Sequence, residues 1–132
     1  MNKIKIALCQ MNVVDDKKTN IKKAIKMIKN AKKENADLAI LPEMFNCPYE
    51  NEKFIEYSEL LSESETLTKI SKVAKEENIH ILAGSIPEKV NNDELKSSIY
   101  NTSCFFDNNG KITISDNNNY TYIQSFHFDI CK

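Results

Sequence analysis

The stretch Leu38-Ala39-Ile40-Leu41-Pro42-Glu43-Met44-Phe45-Asn46-Cys47-Pro48-Tyr49 runs an apolar segment into a loop that carries a carboxylate, a thiol and aromatic rings. Pro42 cannot donate to a sheet ladder, so a strand over residues 36–41 ends there and hands Glu43 to the loop. A carboxylate delivered into a loop lined by Phe45 and Tyr49 should lose hydration, which suits it to accept a proton near neutral pH. A glutamate after a strand end also reads as a helix cap or a surface acid, and residue chemistry alone leaves that choice open.

The other reactive side chains are scattered. Cys9, Cys47, Cys104 and Cys131 lie tens of residues apart, with no C-x-x-C pair and no histidine at ligand spacing, so no metal is implied. Cys9 and Cys104 sit in apolar runs and read as buried strand residues, and Cys47 reads as lining of the Glu43 loop. Cys131 lacks the glycine before it and the helix after it that would expose a nucleophile. His80 reads as a core or edge residue of a strand, and Lys111 as solvated. No G-x-G-x-x-G or P-loop pattern is present to cradle a phosphate, and no cofactor is expected.

The elements that must position Glu43 follow from periodicity. Residues 3–9 alternate and then turn apolar, as in a strand entering a core. Thr19 or Asn20 can cap a helix whose Ile21, Ala24, Ile25, Ile28 and Ala31 share one face, with lysines opposite. A short helical segment over residues 54–61 follows the Glu43 loop. Ser64 then opens a helix with Leu67, Ile70, Val73 and Ala74 on one stripe. A buried strand is expected over 79–83, then a polar loop over 91–97. Runs over 99–106 and 111–114 follow, joined by Asp107-Asn108-Asn109-Gly110, a tight-turn signal. The order β-α-β-α-β plus a hairpin predicts an α/β fold with helices against a sheet and right-handed crossovers. Residues 115–132, including His127, have neither period nor caps and read as a divergent tail, frameshifted or disordered; residues 1–114 read as one folded part.

The 132 residues fit one domain or a piece of one. All 18 basic residues are lysines and nearly cancel 19 acids, and a net charge of −1 gives no electrostatic drive toward nucleic acid or anionic membrane. No leader pattern and no apolar run of membrane-spanning length is read, so a cytoplasmic protein with reduced thiols is expected.

Taken in order and spacing, several segments resemble the nitrilase superfamily of carbon–nitrogen hydrolases, and most closely its ω-amidase branch. They are the strand over 4–10, the run 41–49, Phe54 with Glu56-Tyr57, residues 67–81, Ala83-Gly84-Ser85-Ile86-Pro87-Glu88, and Tyr100-Asn101-Thr102 through Asp107 to Gly110. The resemblance implies the N-terminal half of an αββα sandwich and a Glu-Lys-Cys mechanism acting through a thioester. Glu43 would be its base, and Phe45 and Tyr49 walls of the substrate pocket. It also implies a small dicarboxylate monoamide as substrate, such as 2-oxoglutaramate or 2-oxosuccinamate, and a homo-oligomer. The family's lysine stretch, K-x-R-K-x-H-L-F-D, has no match: the lysine position falls on neutral Gln124, which cannot support an oxyanion as a cation would. The G-I-C-Y-D elbow that holds the nucleophile is not met before Lys132. The expectation is therefore a truncated, inactive hydrolase, with a non-catalytic binding or regulatory module of the same fold as the alternative.

Overall fold

The computed structural model describes residues 3–92, 96–112 and 126–127. Strand β1 (Ile6–Leu8) leads to helix α1 (Lys17–Lys33), strand β2 (Leu38–Ile40), short helix α2 (Asn51–Tyr57), a 3-10 turn (Leu61–Glu63), helix α3 (Glu65–Glu77) and strand β3 (His80–Leu82). Strands β4 (Ile86–Asn92), β5 (Lys96–Thr102), β6 (Phe105–Phe106) and β7 (Phe126–His127) follow.

Helix α1 starts one turn earlier than the capping signal predicted. Asp16, not Thr19 or Asn20, is the N-cap, accepting from the Thr19 N–H at 3.0 Å. Asn20 is instead fully buried: its Nδ2 donates to the Val14 carbonyl at 2.7 Å and its Oδ1 accepts from the Val14 N–H at 2.9 Å. Both amide ends are thus spent on fixing the chain that enters the helix. Helix α3 is capped as predicted, with Ser64 Oγ accepting from the Leu67 N–H at 3.0 Å. It ends on Asn78 in the left-handed region (φ 50°), with the Ile79 N–H returning to the Ala74 carbonyl.

One sheet has the order β1-β2-β3-β6, with the first two pairings parallel and β6 antiparallel to β3. In register across it, Ala7, Ala39, Ile81 and Phe106 point to the side covered by α1 and α3, which pack against each other. Ile28 and Ala24 from α1 and Ile70, Val73 and Ala74 from α3 complete that core. Fully burying each large aliphatic or Phe side chain there contributes about 1.5–3 kcal/mol. The alternate registers form the opposite face: Ile6 and Leu8 are exposed, and Leu38, Ile40, Leu82 and Phe105 half-buried.

The C-terminal portion corrects the sequence reading. The run over 99–106 is two strands in two sheets, because after Thr102 the Cys104 carbonyl accepts from the Ala83 N–H and turns the chain onto β3. The polar loop expected over 91–97 is ladder at both ends, with Asn91 paired to Ser97 and Asn92 to Lys96. Residues 86–92 form an unforeseen strand; Pro87 is tolerated because β4 is an edge of the β4-β5-β7 sheet. Helix α2 ends at Tyr57 rather than near 61, since Glu59 pairs its backbone with Pro87 and Lys89.

The Asp107–Gly110 turn forms as expected: the Gly110 N–H donates to the Asp107 carbonyl at 2.9 Å, and Gly110 takes φ 79°. Of the strand expected over 111–114, the described residues 111 and 112 carry one bridge, Phe106 to Ile112. The tail reading over 115–132, with Gln124 and Cys131, lies outside the described residues apart from the β7 pairing of Phe126 and His127 with Asn101 and Tyr100. Among the described residues no helix is long and apolar enough to cross a membrane.

Candidate active site

Glu43 lies three residues past the carboxyl end of β2, where α/β sheets present their ligand loops. The loop is fixed from three sides. From above β3, Gly84 (φ 37°) comes so near that a Cβ there would stand 1.9 Å from the Pro42 carbonyl oxygen, so only glycine permits the approach. The adjacent Ser85 Oγ accepts from the Met44 N–H at 3.0 Å, holding Met44 in the left-handed region (φ 49°). That inversion turns Met44, Phe45 and Cys47 inward while Glu43 stays outside.

From below, Asn46 is fully buried and its Nδ2 donates to Thr66 Oγ1 at 3.0 Å and Glu59 Oε1 at 3.2 Å. Glu59 also accepts from Ser64 Oγ at 2.8 Å, from the Thr66 N–H at 3.1 Å and from the Thr66 hydroxyl, and pairs with Lys17 Nζ at 3.2 Å. Burial by itself would raise the Glu59 carboxyl, but donation from Thr66 and Ser64 and the Lys17 charge outweigh it. The group is held below its ordinary value.

From the side, Asn101 of β5 donates its Nδ2 to Glu43 Oε1 at 2.6 Å. This contact joins the two sheets at the Glu43 loop. Glu43 itself is exposed, contrary to the expected desolvation: the apolar side chains of its own loop face the core and do not cover the carboxylate. Tyr49 is exposed too and meets the Phe54 ring edge-on, centroids 5.2 Å apart. Phe45 is not beside them at the surface; it is fully buried in the main core with Leu41, Ile70 and Ile86.

The described thiols are all buried. Burial raises the Cys9 thiol, pushes Cys47 up to about 12 and Cys104 up to about 11. None is therefore a ready thiolate. Cys47 does not line a loop surface as its position suggested; it packs with Met44, Phe54, Tyr57 and Ile99. Among the described residues no group of three or more His, Cys, Asp and Glu is placed to hold a metal ion. An open cavity of about 580 Å³ lies at the other end of the sheet, by Lys3, Asp37, His80 and Phe105, and is remote from the Glu43 loop.

Sequence reasoning singled out Glu43 but not the residues that hold it. Gly84 and Ser85 stood inside a quoted motif without a role, and Asn101 carried one weak signal, a polar amide inside an otherwise strand-like run.

A carbon–nitrogen hydrolase family model matches residues 5–125. Among curated proteins, the chloroplastic omega-amidase of Arabidopsis thaliana is 39% identical over 116 residues, covering 85% of this chain and 30% of that protein. Omega-amidase NIT2 of Mus musculus is 35% identical over 114 residues, covering 86% of this chain and 39% of that protein. Among solved structures, Saccharomyces cerevisiae Nit3, a member of branch 10 of the nitrilase superfamily, superposes with a TM-score of 0.73 and 36% identity, covering 83% of this chain and 41% of that one. The chain thus spans between 30% and 39% of the length of these two curated relatives.

Proposed function

The chain belongs to the carbon–nitrogen hydrolase family, and from that premise we propose that it carries the general-base part of an amide-hydrolysing site, with Glu43 as the base. Its mixed α/β architecture is that of the nitrilase-fold neighbour. The observation that carries the reading is the placement of one exposed carboxylate at the carboxyl end of a parallel strand, held by a buried amide in a loop that Gly84 and Ser85 fix. Rigid support of a group that must stay open is what a catalytic base requires.

In the proposed reaction Glu43 takes the proton of a thiol, and the thiolate attacks the carbonyl of a small dicarboxylate monoamide. The C–N bond breaks as that proton passes to the leaving nitrogen, giving ammonia and a thioester. Water then adds, losing a proton to Glu43, and the C–S bond breaks to free the acid and restore the thiol. Cys9, Cys47 and Cys104 are sealed in the core, so none supplies the thiol. Among the described residues no thiol is placed to react, and the chain alone is proposed to be inactive. Tyr49 is proposed as an exposed pocket wall, and Phe45 as the core residue that shapes the loop from beneath. A homo-oligomer in the cytoplasm accompanies this reading.

The test is ammonia release from 2-oxoglutaramate. The purified chain should give none. Residues 1–114 fused to the portion of yeast Nit3 that follows them should turn over, and Glu43→Gln in it should lower kcat by about 10²–10⁴. Unchanged turnover in that variant removes Glu43 from the mechanism.

A further inference from the structure

We propose that Asn101 is a positioning residue that occupies Glu43 Oε1 and thereby makes Oε2 the atom that accepts the proton, an assignment that rests on the reading of Glu43 as the base. Asn101 sits in β5 between β4 and β7, its backbone in register with Pro87 on one side and Phe126 on the other. It is 3% exposed, so its amide has little freedom to leave the 2.6 Å contact with Glu43 Oε1. Glu43 Oε2 has no partner among the described residues. Of the two oxygens, one is therefore tied to a fixed donor and the other is open among the described residues.

The choice of side chain supports the assignment. Asn101 Oδ1 is buried and has no partner among the described residues, a cost that an apolar residue of the same size would not carry. Packing alone thus disfavours asparagine at this place, and the contact with Glu43 is what the amide supplies. An amide is also the suitable donor: it does not titrate, so the hold persists across pH, and it brings no charge that would neutralise the carboxylate as a lysine would. Tied at Oε1, the carboxylate cannot spin about its terminal bond, and Oε2 keeps one direction toward an incoming thiol or water.

The experiment uses the chain itself and no turnover. Carbodiimide-activated coupling of a small amine is followed by peptide mass spectrometry at fixed pH, comparing Glu43 with exposed Glu52 as internal reference. Asn101→Leu, close to isosteric, should raise the Glu43-to-Glu52 coupling ratio on the order of tenfold, the effect of losing one charge-assisted hydrogen bond. Asn101→Ser should do the same if the leucine variant does not fold. In ¹H–¹⁵N spectra the Asn101 side-chain amide should shift when the exposed partner is replaced in Glu43→Leu, and recover in part in Glu43→Gln, whose carbonyl still accepts. An unchanged coupling ratio in a folded variant, or an Asn101 amide signal indifferent to Glu43→Leu, overturns the proposal. Because neither readout depends on catalysis, either result bears on Asn101 alone; a Glu43→Gln fusion that still hydrolyses amide would instead overturn the reading beneath it.

Discussion

Replacing Gly84 by alanine tests whether the Glu43 loop is held by backbone proximity. The added Cβ would meet the Pro42 carbonyl oxygen at 1.9 Å and the Leu41 carbonyl oxygen at 2.6 Å, where real Cβ atoms essentially never come within 3.0 Å of a heavy atom. Those atoms are main chain, continuous with β2, so no side chain can swing aside. The left-handed backbone, φ 37°, adds about 1–2 kcal/mol for a residue with a Cβ, and forced separation of packed segments about 1–3 kcal/mol. The total, roughly 2–5 kcal/mol, is a large part of the ~5–15 kcal/mol that holds a typical domain. With a urea m-value of about 1–3 kcal/mol/M, the midpoint should fall by on the order of 1–3 M, read by far-UV circular dichroism. Gly110→Ala is the control: its Cβ would meet the Ser71 carbonyl oxygen at 2.4 Å, but the residue lies in a surface turn that can lift away from α3. It should cost less. A Gly84→Ala midpoint within about 0.3 M of the parent, at unchanged m, would refute the argument that this approach fixes the loop.

Further outcomes follow from the buried groups. Glu59 has a folded-state value below the ordinary 4.5, so its contribution to stability is present above about pH 4.5 and lost as pH falls through the lower folded value. Glu59→Gln should therefore cost about 1–3 kcal/mol at pH 7 and leave a smaller loss on acidification than the parent shows, measured by urea titrations at both pH values; parallel losses would sink the account. Cys9, Cys47 and Cys104 should resist iodoacetamide at neutral pH until denaturant is added, as read by peptide mass spectrometry. Rapid native alkylation of Cys47 would contradict its burial.

How far the site was legible depended on whether a residue's role was local. Ser64 was readable as a cap because the donor it satisfies lies three residues on. Glu43 could be singled out because a proline closes the strand before it. Asn20 was misread as a cap because its true partner, Val14, lies in a loop with no periodic signal. The exposure of Glu43 was misjudged for a similar reason: the inversion at Met44 depends on Ser85, 41 residues away. Asn101, 58 residues from Glu43, gave no sign of its partner.

The sequence by itself determined the helices with their apolar faces, the three strands that alternate with them, the turn at Asp107–Gly110 and the one carboxylate worth testing, because each depends on hydrophobic period, caps or breakers acting within a few residues. Only the tertiary structure decided that residues 99–106 divide between two sheets, that Phe45 faces the core while Glu43 and Tyr49 face outward, and that Asn101 holds Glu43 Oε1. Those outcomes rest on contacts between segments tens of residues apart, and a linear pattern carries no record of which distant backbone will come within hydrogen-bond reach.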